Sequence, residues 1–146
     1  MRLTAFTDFG LRALMRLAAE PDRLFSTGEI ASEFVISRNH LAKVIGDLAA
    51  SGFINTRRGV SGGFRLARAP HTITLGEVVR ALEARHALVE CFGQDGGACV
   101  LTPRCRLRHK LAAAQEAFLR DLDRTTLAEC AYSAKRKRGP PPAAEA

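Results

Sequence analysis

The chain lacks the features that mark membrane and exported proteins. No stretch approaches the ~20 consecutive apolar residues that cross a bilayer, so no transmembrane helix is expected. The first twenty residues intersperse Arg2, Asp8, Arg12 and Arg16 among apolar ones, and so lack the unbroken apolar segment of a signal peptide. We therefore expect a cytoplasmic protein that has no membrane partner.

Two kinds of metal or catalytic pattern are also missing. No Cys-X-X-Cys pair occurs, which argues against an ordinary zinc ribbon, because zinc ribbons use closely spaced ligand pairs. No pair of carboxylates or histidines suggests the general base that a metal-dependent hydrolase needs. These absences predict that the protein is not an enzyme.

Positive charge, by contrast, is abundant and unevenly distributed. The 146 residues carry a net charge of +7 at pH 7. Residues 1–80 contribute +4, residues 81–134 are neutral, and residues 135–146 contribute +3. A basic N-terminal half favours a nucleic-acid partner, because Lys and Arg neutralise phosphates. The charged, proline-rich tail at 132–146 is predicted to be disordered.

Helical periodicity predicts three helices in the first fifty residues. Apolar residues at 3–17 recur at helical spacing. Ser26 and Glu29 have the pattern of a capping box at the start of a second helix. Ser37 is the N-cap of a third helix, which Gly52 ends. The apolar side of the second helix is predicted to consist of Ile30, Ala31, Phe34 and Val35.

A β-hairpin and a fourth helix are predicted next. Two short strands at 53–58 and 64–68 flank a glycine-rich tip. Thr74 and Glu77 then form a second capping box, which predicts a helix through about Ala84. Helix-turn-helix followed by hairpin is the order of a winged helix-turn-helix, so the fold is predicted to be mainly α with a small β-hairpin, and the DNA-binding domain to span residues 1–84.

The residue types at the start of the third helix suit base recognition. The second helix of such a motif lies in the major groove and reads bases with its N-terminal residues. Arg bonds guanine and Asn bonds adenine, which makes these positions candidates for a double-stranded operator. Arginines beside a thin glycine-rich tip suit phosphates or a minor groove. The predicted DNA-binding residues are Ser37, Arg38, Asn39, His40, Lys43, Arg57, Arg58 and Arg65.

A long helix is predicted in the region 103–131, with Thr102 as its N-cap and Pro103 as its first residue. A short helix is predicted to follow around Leu127. A second copy of the long helix would cover its wide apolar stripe, which predicts a homodimer and a palindromic operator. Packing onto the first helix of the same chain is the alternative. The stripe consists of Leu107, Leu111, Ala114, Phe118 and Leu122.

Three cysteines, Cys91, Cys99 and Cys105, occur in or just after the irregular, glycine-rich segment 85–102. Clustered cysteines in a reducing cytoplasm are more often metal ligands or redox sensors than disulfides. Cys105 is predicted in the first turn of the long helix, whose N-terminus favours a thiolate.

Three thiolates are an incomplete ligand set for an iron–sulfur cluster, which usually takes four protein ligands. His109 shares a helix face with Cys105 and could complete a Cys3His zinc site. Cys130 is another candidate, although its apolar surroundings suit a buried structural cysteine. The residues alone leave the fourth ligand open.

Four motifs together resemble the Rrf2 family of regulators, and within it the nitric-oxide-sensing repressors. They are LTxFTDFGLRAL at 3–14, SRNHLxK at 37–43, RGxxGGxRL at 58–66 and TPxCRL at 102–107. The resemblance covers about residues 1–130. It implies a dimeric repressor with a 4Fe–4S cluster bound by Cys91, Cys99 and Cys105, and it implies the partner subunit's Asp8 as the fourth ligand.

The resemblance also implies how a signal is read. The intact cluster would hold the dimer in its DNA-binding form, and nitric oxide would lower operator affinity. Periodicity alone makes Asp8 a surface partner of Arg12. The segment between Cys91 and Cys99 is longer than is usual in the family, which leaves a 2Fe–2S redox sensor or a zinc-stabilised regulator of the same fold as alternatives.

Overall fold

A computed structural model describes residues 2–102 and 104–134. Pro103 and residues 135–146 of the predicted tail at 132–146 lie outside the described residues. The elements follow the predicted order of helices and hairpin. They are α1 (Ala5–Ala19), α2 (Thr27–Phe34), α3 (Arg38–Ala50), β1 (Ile54–Arg57), β2 (Gly63–Leu66), α4 (Leu75–Glu83) and α5 (Arg106–Leu122), with short 3-10 helices at Pro70–Thr72, Glu90–Phe92 and Leu127–Cys130.

The predicted caps of α2 and α3 are only partly formed. The Ser26 hydroxyl accepts the Glu29 N–H at 3.1 Å, but the Glu29 carboxylate bonds Arg23 and does not close the capping box. Ser37 precedes α3 and makes no capping bond through its side chain. The first-turn amides of α3 therefore have no side-chain cap. Gly52, with φ +78°, follows the end of α3 as predicted.

One hydrophobic core joins α1, α2, α3, α4 and the base of the hairpin. Gly10 of α1 marks a close helix crossing, because a Cβ at this position would lie 2.5 Å from Cδ1 of Leu82 on α4. The chain after α5 returns to the same core. Leu127 is fully buried there, and the Tyr132 N–H donates to the carbonyl of Met15 at 2.8 Å.

The hairpin pairs β1 and β2 in antiparallel register, with Ile54 opposite Leu66. Phe64 also exchanges two backbone hydrogen bonds with Phe25, at 2.8 and 2.9 Å, and this attaches the wing to the segment before α2. Gly63 has φ +151°, and a Cβ there would approach the Phe25 carbonyl oxygen to 2.4 Å. Only glycine allows this approach.

The long helix begins later than the sequence pattern predicts. Thr102 is not its N-cap. Its N–H bonds the Cys99 carbonyl and the Arg104 N–H bonds the Leu101 carbonyl, at 3.3 and 3.1 Å. Because the Arg104 N–H bonds the Leu101 carbonyl, it is not available to a capping Thr102 side chain, and α5 begins at Arg106 with Cys105 as its N-cap. Cys105 therefore precedes the first turn.

Three further predictions about burial are corrected or sharpened. Val35 does not belong to the apolar side of α2, because it ends that helix in a left-handed conformation and is 93% exposed. Cys130 is only partly buried. No residue of α5 is buried, and Leu107 is 64% exposed.

Within the described residues, no helix is long and apolar enough to cross a membrane.

Candidate DNA interface and cysteine loop

The two sides of α3 are sharply different. Leu41, Val44, Ile45 and Leu48 are buried against the core. The residues predicted to read DNA, Ser37, Arg38, Asn39, His40 and Lys43, are all exposed. Within the described part of the chain, none of these five side chains takes part in a hydrogen bond or ion pair. The polar side of α3 therefore has its bonding groups available for an external partner.

The hairpin presents a second basic surface. Arg65 alternates with buried Phe64 and Leu66 on β2, and it is exposed together with Arg57 and Arg58. The ion pairs found among the described residues involve none of these three arginines. Arg68 differs, because it pairs with Glu77 at 2.9 Å. The predicted wing arginines thus present unpaired cations suited to phosphates.

Arg16 is a positioning residue that the sequence pattern did not reveal. It is 5% exposed, donates to Glu20 at 2.6 Å and to Glu33 at 3.1 Å, and its guanidinium lies 4.8 Å from the centre of the Phe25 ring. Burial alone would lower the pKa of Arg16, but its hydrogen bonds to Glu20 and Glu33 raise it overall. An Arg inside the apolar spacing of α1 was the available signal. Its bond to Glu33 ties α1 to the helix-turn-helix.

The cysteine loop connects α4 to α5. Cys91 lies in the 3-10 turn Glu90–Phe92, Cys99 lies in irregular chain, and Cys105 caps α5. All three are free thiols and partly exposed. The Cys105 Sγ accepts the backbone N–H of Arg108 at 3.4 Å, as an N-cap does.

Glu90 organises this loop, and sequence reasoning did not single it out. Its carbonyl accepts the Gly93 N–H at 3.0 Å, and its carboxylate accepts the Ala98 N–H at 3.1 Å. Gly97 packs against it with φ +63°, where a Cβ would lie 2.7 Å from the Glu90 carbonyl oxygen. The loop therefore folds around a carboxylate and not around a thiol.

The donor set suits an iron–sulfur cluster in type and place, but a single chain does not assemble it. Among the residues described, no three His, Cys, Asp or Glu side chains lie close enough together to hold a metal ion. Asp8 bonds Arg12 at 2.7 and 3.1 Å, as periodicity predicted, and both are about half exposed. His109 is exposed on α5. Cluster ligation by these residues stays a prediction.

The helix that precedes the loop, α4, is attached both to the chain that follows α5 and to the start of α1. Arg80 of α4 bonds Asp123 twice, at 2.6 and 2.9 Å, just beyond α5. Glu83 accepts the N–H and the hydroxyl of Thr4, both at 2.8 Å, and so holds the start of α1. Burial alone would raise the pKa of Glu83, but hydrogen bonds from Thr7 and Thr4 lower it overall.

A cavity of about 850 Å³ lies beside the loop. Its walls come from the start of the chain, the end of α4, the loop itself and α5, including Thr4, Glu83, Phe92 and Phe118. From the loop itself, Phe92, Gly93 and Gln94 line this cavity.

Known proteins resemble this chain over almost its whole length. Residues 3–132 match the Rrf2 family, described as an iron-dependent transcriptional regulator. The HTH-type transcriptional regulator NsrR of Geobacillus kaustophilus is 48% identical over 130 residues, 88% of each chain. NsrR of Halalkalibacterium halodurans is 45% identical over 128 residues, 87% of this chain and 88% of the relative.

Solved structures give the same fold. CymR, the global cysteine regulator of B. subtilis, matches with a TM-score of 0.71 and 26% identity, covering 90% of this chain and 96% of CymR. IscR of T. potens matches with a TM-score of 0.68 and 23% identity, covering 88% and 85%. The relatives are regulators and not enzymes. With its winged helix-turn-helix, the chain belongs to the Rrf2 family of transcriptional regulators and resembles NsrR within it.

Proposed function

We propose that the chain is an iron–sulfur-dependent repressor that binds a palindromic operator as a homodimer and loses operator affinity in nitric oxide. The observation that carries the proposal is the position of three free thiols in the loop joining α4 to α5. The iron dependence of the matched family and the likeness to NsrR support it. Nitric oxide is proposed as the signal because the four sequence motifs resemble those of nitric-oxide-sensing repressors.

The proposed dimer rests on the surface of α5. Glu116 of α5 and Asp123, the residue that follows α5, face Arg80 on α4. Leu107 precedes Glu116 by nine residues, which is about two and a half helical turns, so the two lie on opposite sides of the helix. Ala114 and Asp123 have the same relation. Leu107 and Ala114 are exposed on the side of α5 that faces away from α4, which supports packing against a second copy of α5.

Cys91, Cys99 and Cys105 would hold the cluster, with the partner subunit's Asp8 as the fourth ligand. When bound, the cluster would supply iron that nitric oxide attacks. For such ligation, Asp8 must exchange its bond to Arg12 for a contact across the dimer. That contact would tie the loop to α1 of the other subunit.

The rest of the chain can carry this tie to the DNA. Arg80 and Asp123 fasten α4 to the end of α5, while Glu83 fastens α4 to the start of α1. Release of the three thiolates would leave the loop free between these points. Cluster binding would then no longer fix the distance between the α3 helices of the two subunits. A bound group shifts a conformational equilibrium only if it binds one conformation more tightly than the other. The contact between the loop and the partner subunit would give the cluster that preference for the DNA-binding conformation.

An anaerobic spectrum of the freshly purified protein tests this function. It is recorded with iron and sulfide assays, before and after nitric oxide, alongside operator binding by fluorescence anisotropy. We expect a broad visible band that nitric oxide destroys together with operator affinity. The iron count separates a 4Fe–4S from a 2Fe–2S cluster. A colourless protein that contains zinc would overturn the gas-sensing mechanism and leave transcriptional regulation in place.

A matched pair of serine variants tests the ligands. Cys99→Ser should abolish the visible absorbance, because it removes one of three thiolates. Cys130→Ser should retain the absorbance, since this partly buried cysteine lies in the Leu127–Cys130 turn outside the loop. If Cys99→Ser retained the visible absorbance, Cys99 would not be a cluster ligand.

A further inference from the structure

Val35 combines two properties that are unusual for valine. It lies in the turn between α2 and α3 with φ 55° and ψ 46°, a left-handed conformation. It is the one non-glycine residue with positive φ among those described. Its side chain is 93% exposed. β-Branched residues avoid this backbone region, which glycine occupies in most helix ends of this kind.

The turn requires the backbone conformation but not the valine. The Val35 N–H bonds the Ser32 carbonyl at 3.4 Å, and the Ile36 N–H bonds the Ala31 carbonyl at 2.9 Å. This is the Schellman arrangement, with Ile36 and Ala31 buried beneath it. Glycine would make the same bonds without strain. The exposed Val35 side chain returns little packing energy to the fold.

The surroundings of Val35 include two of the residues predicted to contact DNA, Ser37 and Arg38. A shallow groove between α2 and α3 is lined by Val35 together with Ser32, Ser37 and Arg38. The guanidinium of Arg38 reaches over the first turn of α2, since a Cβ on Gly28 would lie 3.8 Å from its Cζ. Hydroxyls and a cation around an apolar tip complement the edge of a duplex, where phosphates border apolar sugar and methyl groups.

We infer that Val35 is a DNA-contacting residue whose methyl groups pack against an apolar part of the operator beside the entry of α3 into the major groove. Strain that the fold itself does not need is typical of functional positions. The inference rests on the operator-binding part of the proposed function and is independent of the cluster. It adds an apolar contact to the polar residues of α3.

The first test compares variants on a duplex selected from a random library by the full-length wild-type protein under anaerobic conditions. Removing the contact in Val35→Gly should weaken binding about five- to tenfold in anisotropy titrations. The same variant should melt at a higher temperature, which shows that the fold is intact. Val35→Ile keeps the contact and should bind within about twofold of wild type.

A second variant excludes a backbone effect. Asn adopts the left-handed conformation readily but is polar, so Val35→Asn should also bind weakly. The salt dependence of binding should be unchanged in Val35→Gly, because no charge is lost, and reduced in Arg38→Ala. Wild-type affinity in Val35→Gly or Val35→Asn would overturn the inference.

Duplexes with deoxyuridine in place of thymidine identify the surface contacted. If the affinity of the wild type for the deoxyuridine duplex falls to the affinity of Val35→Gly for the thymidine duplex, then Val35 packs against a thymine methyl. If wild type is unaffected and Val35→Gly remains weaker, the contact is to deoxyribose. Failure of the wild type to enrich any duplex would overturn the operator-binding function, and with it this inference.

Discussion

At the residue scale, Arg38 and Asn39 are the side chains most suited to base recognition. Both are exposed at the start of α3. Changing either to Ala should cost about 1–3 kcal/mol of specific binding, because a bidentate base contact is lost. Anisotropy with the selected duplex and a scrambled duplex separates specific from general binding. Arg124→Ala, an exposed arginine that follows α5, should bind as wild type. Unchanged affinity in Arg38→Ala and Asn39→Ala would remove both from base recognition.

Val35 also makes a prediction about stability that needs no DNA. Val35→Gly should raise the free energy of unfolding by about 1 kcal/mol, since a strained left-handed valine is replaced by a residue that tolerates φ 55°. Urea denaturation measures the change. Val100, which is 94% exposed and has no positive φ, is the matched control. Val100→Gly should not gain stability, and a loss of stability in Val35→Gly would contradict the strain.

At the scale of elements, two helix glycines should respond oppositely to alanine. A Cβ on Gly76 of α4 would lie 1.9 Å from the Asp123 carboxylate and 2.8 Å from the Leu119 carbonyl oxygen of α5. Gly76→Ala should therefore destabilise the protein by about 1–3 kcal/mol through overpacking. A Cβ on Gly46 of α3 would meet nothing within 4 Å, so Gly46→Ala should stabilise by about 0.5–1 kcal/mol. Thermal and urea unfolding compare the pair. Equal stability of the two variants would contradict the close packing of α4 on α5.

The contact between α4 and the residues at the end of α5 also makes the stability of the protein depend on pH. The hydrogen bond from Arg80 holds the pKa of Asp123 below its ordinary value of 3.8. The backbone N–H of Thr74 likewise lowers the pKa of Glu77 below 4.5. A carboxyl whose pKa is lower in the folded state stabilises fully above its unfolded pKa. That stabilisation is lost as pH falls through the folded pKa.

The melting temperature of the wild type should therefore fall as pH is lowered from about 5 to about 3. Asp123→Asn should melt lower than wild type at neutral pH and decline less steeply in acid, because its titrating group is gone. Asp121→Asn is the matched control, since Asp121 is 80% exposed and lies 3.9 Å from Arg124. Parallel pH curves for wild type and Asp123→Asn would rule out the contribution of this carboxylate.

At the scale of the whole molecule, α5 exposes Leu107 and Ala114 of its apolar stripe, whereas Leu111, Phe118 and Leu122 are partly buried. Leu107→Glu places a charge in the proposed dimer interface and should shift the protein toward monomers in sedimentation velocity. Ala113→Glu changes an exposed α5 residue outside the apolar stripe and should leave the dimer intact. A Leu107→Glu protein that sediments as wild type would contradict a dimer built on this stripe.

The element order and both faces of α3 could be read from the residues alone, because helical periodicity and capping residues act over a few positions. The capping box of Thr74 and Glu77 is present as predicted. The exposure of Arg38, Asn39 and Lys43 followed from the apolar spacing of Leu41, Val44 and Leu48. Local physics sufficed there, because each helix needs only one face against the core.

Contacts between distant segments were decided only by the tertiary structure. Arg16 is buried because Glu33, seventeen residues away, supplies its counter-charge. The start of α5 lies at Arg106 and not at Thr102, because the Arg104 N–H that a Thr102 cap would need bonds the Leu101 carbonyl instead. Gly76 is required by Asp123, which approaches it from beyond α5. Sequence spacing determines which residues share a face, whereas the packing of one element on another determines which face is covered and which charge is paired.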